Sequence, residues 1–329
     1  MKTKPKDTVT KMGMIDVLNQ LKSAKKIALF CHVNPDCDTI GSALALKFSL
    51  EKIGKKTDVF CDGEMKGSIA ELKGADTVNA EKDPTKYDLS VAVDCGDQGR
   101  VGAYYSLFIK SAHTACIDHH KQLGHFADVN WVEPASGATA ELIYLIACEL
   151  GENVIDNTIA TLLYTALVTD TGNFSFSCTS SRTLKIASEL LTFGVKNADI
   201  SSHFFKEIEL PVFKLKARGI SKAQFFENNA IGVLSFLKDD LDATGTVSAD
   251  SSNLVNEVIN IAGVRIAVSI TEVRPHSFKM SVRTTDDVDA SAIATVFGGG
   301  GHRNAAGFMM NGFYGNVLDD VLKACKDHL

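Results

Sequence analysis

The chain has 329 residues, of which 45% are hydrophobic and 22% are charged, and its net charge at pH 7 is −6. This composition is typical of a globular protein that is long enough for two domains. The negative charge argues against a long basic surface for duplex nucleic acid. The sequence has no run of about 18 apolar residues, so no membrane span is predicted.

The N-terminal segment is basic but lacks the apolar stretch of a secretion signal. The eight cysteines are scattered, with no Cys-x-x-Cys pair. This pattern is more typical of a reducing compartment than of a disulfide framework. The sequence therefore predicts a cytoplasmic protein.

The first half of the chain alternates short apolar runs with helical patterns. The runs typical of buried strands are Lys26–Cys31, Thr57–Cys61, Leu89–Val93 and Thr114–Ile117, and helical spacing marks Asp38–Ile53, Gly137–Leu150, Asp156–Val168 and Arg182–Phe193. Strands that alternate with helices predict a mainly parallel sheet covered on both faces. Residues 1–194 are therefore predicted to form an α/β domain.

The second half of the chain has a different pattern. Residues 195–219 remain helical but are more polar, which predicts a helical connector. Two hairpins are then predicted, one from Ala223–Phe226 with Ile231–Phe236 and one from Val264–Val273 with Phe278–Thr284. Residues 220–329 are thus expected to form a smaller α+β domain with a mixed sheet.

Acidic and imidazole side chains follow three of the predicted strands. These segments are His32-Val33-Asn34-Pro35-Asp36-Cys37-Asp38, Asp94-Cys95-Gly96-Asp97 and Asp118-His119-His120, and Asp170 follows the helix Asp156–Val168. Because the carboxyl ends of parallel strands share one edge of a sheet, we expect these residues to meet there. So many carboxylates require a compensating cation. Oxygen and imidazole ligands without a set of thiolates favour manganese or magnesium over structural zinc.

Four motifs in these segments, HVNPDCD, DCGD, DHH and TDTG, resemble the motifs of the DHH phosphoesterase superfamily. Near the C-terminus, GGGGHRNAAG at residues 298–307 resembles the GGGHxxAAG signature of the DHH-associated nucleotide-binding domain. In length and layout the chain is similar to the stand-alone nano-RNase and pAp phosphatase group. One position departs from the pattern: Cys37 stands where the family more often has glycine.

The resemblance implies a site for two divalent cations about 4 Å apart. Manganese is the implied metal, with magnesium or cobalt as alternatives. The implied ligands are His32, Asp36 and Asp94 for one ion, and Asp38, Asp94, His119 and Asp170 for the other. Asp94 would bridge the ions and is a predicted catalytic residue together with His120, which would donate to the phosphate. Asp118 would orient its neighbours.

Other residues near these motifs receive weaker assignments. Cys31, Cys37 and Cys95 are interpreted as small buried side chains rather than ligands. Asp97 is expected to cap a helix. Arg100 resembles a family arginine near the site, although a solvated arginine fits the spacing equally well.

The C-terminal domain is predicted to bind the nucleotide. Gly299, Gly300, Gly301 and His302 are followed by a segment that resembles the start of a helix, which favours backbone amides that hold a phosphate. Arg283 resembles the family arginine that binds a terminal phosphate or stacks on a base. Arg265 is a weaker candidate of the same kind.

The resemblance implies hydrolysis of very short RNA, of 3′-phosphoadenosine 5′-phosphate (pAp), or of both. Cleavage of cyclic di-AMP or pApA is the alternative, whereas a pyrophosphatase, a polyphosphatase or a non-catalytic nucleotide sensor is less favoured. The expected partners are short single-stranded RNA and nucleotides, and neither duplex nucleic acid nor a membrane is expected. A homodimer is possible on the sequence alone.

Overall fold

The computed structural model describes residues 6–81, 86–121, 124–285 and 287–329, without the side chains of residues 6–11 and of His302. The chain separates into two compact units, Met1–Glu207 and Ile208–Leu329. The predicted connector, residues 195–219, contains the helix Asn197–Phe205 before this boundary. After the boundary it contains most of the helix Leu210–Ser221. Within the described ranges no helix is long and apolar enough to span a bilayer.

The first unit is built on a five-stranded sheet in the order β2-β1-β3-β4-β5. Its strands are β1 (Lys26–Phe30), β2 (Lys56–Phe60), β3 (Leu89–Val93), β4 (His113–Asp118) and β5 (Val129–Val132). Every neighbouring pair is parallel. The prediction of a parallel sheet is therefore confirmed.

Helices cover this sheet because its strands are apolar on both sides. They are α1 (Lys6–Ser23), α2 (Cys37–Lys52), α3 (Tyr105–Phe108), α4 (Thr139–Leu150), α5 (Asn157–Asp170), α6 (Ser181–Leu191) and α7 (Asn197–Phe205). On one face Ile27 and Leu29 join the core formed by α2, α4 and α5. On the other face Ala28 and Phe30 pack with the buried Phe108 of α3.

The sequence did not predict α1 or β5. Helix α1 buries Val17 and Leu21 completely, but its many polar and charged residues weaken the apolar pattern that marks a helix. Strand β5 has four residues, and of these only Trp131 is fully buried. Such a short run lacks the alternation on which strand prediction depends.

The second unit contains a six-stranded sheet in the order β10-β11-β9-β8-β7-β6. The strands are β6 (Gln224–Phe226), β7 (Ile231–Phe236), β8 (Ile266–Arg274), β9 (Ser277–Thr284), β10 (Gly300–His302) and β11 (Ala305–Asn311). Strands β7 and β8 are parallel and the other neighbours are antiparallel. Both predicted hairpins and the mixed sheet are thus confirmed.

Helices also cover both faces of this second sheet. They are α8 (Leu210–Ser221), α9 (Lys238–Thr244), α10 (Asn256–Ile259), α11 (Ala290–Thr295) and α12 (Tyr314–Asp327). Leu215 of α8 and Leu241 of α9 share a core with Leu234 of β7. Ile293 of α11 and Val321 of α12 pack in the other core.

The glycine run near the C-terminus forms a β-hairpin, so the predicted helix after it is wrong. Strands β10 and β11 pair antiparallel, with Gly301 opposite Ala306. A side chain at Gly301, whose φ is +152°, would place its Cβ 2.5 Å from the Ala305 carbonyl oxygen. A Cβ at Gly299 would lie 2.4 Å from the Gly307 carbonyl oxygen. These glycines are required because the two chain segments approach each other closely.

Candidate metal centre

The predicted ligands of the first unit lie where its strand order reverses. Strands β2 and β3 lie on opposite sides of β1. His32 comes shortly after β1, Asp94 directly follows β3, and His119 directly follows β4. In open parallel sheets this reversal leaves a crevice at the carboxyl ends of the strands, where ligands bind.

Three overlapping groups of side chains that could hold a cation meet at this edge, and one of them is formed by Asp94, His119 and His120. The other two are named after their histidines. The His32 group consists of His32, Asp36 and Asp94, and the His119 group consists of Asp38, His119 and Asp170. The Nε2 atom of His32 lies 3.4 Å from Oδ2 of Asp36 and 3.4 Å from Oδ2 of Asp94. The Nε2 atom of His119 lies 3.4 Å from Oδ2 of Asp170 and 3.9 Å from Oδ2 of Asp38.

Asp94 connects the two groups. Its Oδ2 atom faces His32, whereas its Oδ1 atom lies 3.6 Å from Nε2 of His119. Its backbone adopts a left-handed conformation with φ of +62°, which is strained for a residue other than glycine. Strained backbone of this kind is concentrated at functional sites. The structure thus brings together all six predicted metal ligands.

The donor atoms of the two groups fit a cation. The Nε2 atoms of His32 and His119 are buried, and neither has a hydrogen-bond partner among the described residues. The Nδ1 atom of His119 lies 3.2 Å from the Ser136 carbonyl oxygen, to which it donates. This bond leaves the lone pair of His119 on Nε2, as a metal ligand requires. Buried, unpartnered imidazole nitrogens beside carboxylates are consistent with a DHH-type metal site.

Helix α4 begins at the His119 group and supports it. The backbone N–H groups of Thr139 and Ala140 donate to Asp38, at 2.7 and 3.0 Å. The hydroxyl of Thr139 donates to Oδ1 of Asp94 at 2.8 Å. The positive end of the helix dipole therefore faces two of the carboxylates.

Helix α2 supports the His32 group in a similar way. One oxygen of Asp36, Oδ1, accepts from the backbone N–H groups of Asp38 and Thr39, both at 3.0 Å, and caps the helix. The other oxygen, Oδ2, remains directed at His32. Asp36 thus caps the helix with one oxygen and directs the other at His32.

The carboxylates carry more negative charge than their surroundings balance. Burial, together with the charges of Asp94 and Asp170, raises the pKa of Asp38 well above its usual range. Burial also raises the pKa of Asp170 to about 6, although His119 opposes the shift. Burial alone would raise the pKa of Asp94, but the nearby imidazoles of His120 and His32 outweigh it and lower the pKa. A cation would relieve this repulsion.

His120 differs from His32 and His119 in its exposure and in its partner. Its side chain is 42% exposed, and its Nδ1 atom lies 2.9 Å from Oδ1 of Asp118, a carboxylate with no exposure. Nδ1 also lies 3.4 Å from Oδ1 of Asp94. Hydrogen bonds to Asp118 and Asp94 raise the pKa of His120 to about 10. Both contacts favour the protonated form of the imidazole.

The cysteines and Asp97 lie where the sequence suggested. Cys31, Cys37 and Cys95 are buried, and none of them belongs to a metal-binding group within the described part of the chain. Asp97 accepts from the backbone N–H groups of Gly99 and Arg100 and caps a short 3₁₀ segment.

Arg100 lies in that 3₁₀ segment, beside the His32 loop. Its carbonyl oxygen accepts from the N–H of Val33 at 2.9 Å. Its Nε atom is buried and has no hydrogen-bond partner within the described residues. The backbone of Arg100 therefore supports the loop that carries His32.

The predicted nucleotide-binding residues lie together in the second unit. Arg283 is opposite Ala305 in the sheet, and Ala305 is opposite His302, whose side chain is outside the described part. Burial lowers the pKa of Arg283, whose Nη1 atom donates to the carbonyl of Val282. Arg265, the weaker candidate, is paired with Asp287 at 2.7 Å.

Sequence reasoning missed the residues that support the ligands. Ser136 and Thr139 look like ordinary residues of a helix start, and their contacts come from strands far away in the chain. It also missed Lys66 and Phe204, which line a cavity of about 510 Å³ beside Asp36, Asp38 and Asp170. A cavity of this size is in the range of small-molecule sites.

Comparison with known proteins identifies the family. Residues 26–167 match the DHH family, N-terminal domain, and residues 233–329 match the DHHA1 domain. The chain is 32% identical to the bifunctional oligoribonuclease and PAP phosphatase NrnA of Thermus thermophilus, over 92% of this chain and 90% of that protein. The chain belongs to the DHH phosphoesterase family.

A second relative and a solved structure are similar to nearly the whole chain. A protein of the same name from Bacillus subtilis is 28% identical, over 92% of this chain and 95% of that relative. The fold matches the crystal structure of an exopolyphosphatase-related protein from Bacteroides fragilis with a TM-score of 0.88, at 23% identity and over 96% of each chain. This DHH phosphoesterase is accordingly a hydrolase.

Proposed function

We propose that this DHH phosphoesterase hydrolyses very short single-stranded RNA and removes phosphate from pAp. The observation that carries the proposal is the pair of histidine–carboxylate groups, which Asp94 connects by facing His32 with one oxygen and His119 with the other. Near-full-length similarity to two proteins named as bifunctional oligoribonucleases and PAP phosphatases supports the choice of substrate.

Two divalent cations would be held by the two groups, with manganese favoured by the mixture of oxygen and imidazole donors. Bound there, they supply the positive charge that stabilises a phosphoryl group during attack by water. The carbonyl of Ser136 orients the ring of His119 through Nδ1, and Asp94 aims one oxygen at each histidine. The resulting site is fixed before substrate arrives, which lowers the cost of reorganisation.

His120 would act on the phosphate rather than on a cation. Its Nδ1 proton is held by Asp118, which leaves Nε2 as the donor to a phosphoryl oxygen. A protonated imidazole stabilises the charge that develops on this oxygen in the transition state.

The second unit would bind the nucleotide part of the substrate. Arg283 supplies a guanidinium for a terminal phosphate or a base, and the glycine hairpin with His302 supplies nearby backbone groups. Arg100 would add a positive charge near the metal ligands. This division predicts that the second unit contributes more to the hydrolysis of substrates with a base than to the hydrolysis of substrates without one.

Two observations weigh against the other activities. All six predicted metal ligands are present and close together, whereas a non-catalytic sensor needs no complete ligand set. The DHHA1 match over residues 233–329 favours a nucleotide over pyrophosphate or polyphosphate. Cyclic di-AMP and pApA would present the same phosphodiester to this site.

A substrate panel tests the proposal directly. The purified protein is assayed with manganese against pAp, di- to pentanucleotides, cyclic di-AMP, pApA and pyrophosphate. We expect the highest kcat/KM for dinucleotides or pAp. A clear preference for cyclic di-AMP would assign the alternative function, and a preference for pyrophosphate would contradict the proposal.

A further inference from the structure

One short segment contacts three of the proposed metal ligands. The Glu133–Thr139 segment joins β5 to α4. The carbonyl oxygen of Ser136 accepts from Nδ1 of His119, and Thr139 donates through its hydroxyl to Asp94 and through its N–H to Asp38. Any displacement of this segment would therefore move ligand atoms.

Arg182, in the first turn of α6, donates to two side chains of this segment and to Glu141 of α4. Its Nη2 atom donates to Oγ of Ser136 at 2.6 Å, and its Nη1 atom contacts Oε1 of Glu133 at 2.5 Å. Its Nε atom donates to Oε2 of Glu141 at 2.7 Å. Glu141 has no exposure, and its Oε1 atom accepts from the N–H of Gly137. The segment is thus held at two of its side chains and at its backbone.

The surroundings leave the segment little room to shift. A Cβ at Gly137 would lie 3.1 Å from Oε1 of Glu141, 3.1 Å from Oγ1 of Thr183 and 3.0 Å from Cγ2 of Thr171. The planar guanidinium of Arg182 fits three acceptors in different directions, which an ammonium group on a lysine does not reproduce. Fixed outer contacts of this kind tune the affinity of a metal site.

We propose that Arg182 is a positioning residue that sets the cation affinity of the His119 group, acting through Ser136 and the Glu133–Thr139 segment. The inference rests on the proposed metal centre. The effect should fall mainly on the His119 group, because the segment reaches the His32 group only at Asp94, and His32 and Asp36 have no contact with it among the described hydrogen bonds. Loss of Arg182 should therefore weaken one cation site more than the other.

Manganese titration of the metal-free protein tests this inference without substrate. Arg182→Lys is compared with wild type by isothermal titration calorimetry and by electron paramagnetic resonance, which detects coupled manganese pairs. We expect two sites in wild type, and in the variant one site weakened by about 10–100-fold. The turnover of Arg182→Lys should recover as the manganese concentration is raised, whereas a misfolded site would stay inactive. Lys185→Gln, on the exposed side of the same helix, is the matched control.

A second variant guards against a loss of folding. Arg182→Gln alone would leave Glu141 buried without its cation, which is strongly destabilising. The double variant Arg182→Gln/Glu141→Gln removes both charges, and its thermal unfolding is followed without metal. A folded double variant with one selectively weakened site supports the inference. Wild-type affinities in both variants, or equal weakening of both sites, overturn it. Wild type that binds no manganese overturns the metal centre itself, and the inference with it.

Discussion

Among the individual side chains, Asp94 has the most demanding geometry, since its two oxygens face different histidines from a strained backbone. Asp94→Asn keeps the size of the side chain but removes its charge. We expect the variant to lose at least one tightly bound manganese ion and to reduce kcat by at least about 10²–10³-fold. Metal content is measured by elemental analysis and activity on the best substrate of the panel.

Asp97→Asn is the matched control for this change. Asp97 caps a 3₁₀ segment, and asparagine caps about equally well. The control should retain both ions and near-normal turnover. Near-normal manganese-dependent activity in Asp94→Asn would show that Asp94 does not bridge two cations.

His120 allows substrate contact to be separated from metal binding. His120→Ala removes a protonated imidazole whose Nδ1 is held by Asp118. We expect the manganese content to stay at the wild-type level while kcat falls by about 10²–10³-fold. Loss of manganese from this variant would instead identify His120 as a ligand, as its position beside Asp94 and His119 also permits.

Among the secondary-structure elements, the success of sequence reasoning depended on periodicity. Strands β1, β3 and β4 are continuous apolar runs that end in polar motifs, so both their existence and the position of the ligands could be predicted. The glycine run at residues 298–301 has no such pattern. Its conformation is decided by the close approach of the adjacent strand β11 in a hairpin, a backbone contact that apolar periodicity does not reveal.

The connection between α8 and α9 depends on one buried carboxylate. Asp240 is 2% exposed, and it accepts from Nε of Arg218 at 3.0 Å and from Nζ of Lys222 at 2.5 Å. Burial would raise its pKa, but hydrogen bonds from Lys222 and Arg218 outweigh it and lower the pKa. A lowered pKa means that the carboxylate stabilises the fold above its unfolded pKa of about 4. This contribution is lost as the pH falls through the folded pKa.

Asp240→Asn should therefore reduce the free energy of unfolding by about 1–3 kcal/mol at pH 7. The difference from wild type should shrink as the pH is lowered below about 4. Urea unfolding of both proteins at several pH values measures this difference in the free energy of unfolding. Asp242→Asn, on the same helix with a side chain 59% exposed, should change stability by less than about 0.5 kcal/mol. A difference that is equal at every pH would contradict the electrostatic explanation.

Across the whole molecule, the ligands lie in one unit and Arg283 lies in the other. Arg283→Ala should lower kcat/KM for a dinucleotide by about 10–100-fold, the value of a charge-assisted hydrogen bond. Hydrolysis of bis(p-nitrophenyl) phosphate should stay within about twofold of wild type, since a substrate without a base gains little from this contact. Arg274→Ala, at an exposed position of β8, is the control. Equal losses on both substrates would remove the separate nucleotide-binding role.

The charge of the whole chain leads to an expectation about substrate length. A net charge of −6 provides no long basic track, so affinity must come from few contacts. We expect kcat/KM to be much higher for a dinucleotide than for a single strand of about 24 nucleotides with the same base composition, and to change little between about 50 and 200 mM salt. Efficient degradation of the long strand, or a steep dependence on salt, would indicate a general exonuclease.

The strands at the borders of the two sheets are short. Strands β2 and β5 have five and four residues, and β6 and β10 have three each. A border strand presents unpaired N–H and C=O groups that can recruit a strand from another molecule. Because each edge strand offers few unpaired backbone groups, the protein should resist edge-to-edge aggregation at high concentration. This should hold even though its interior is rich in β-branched residues.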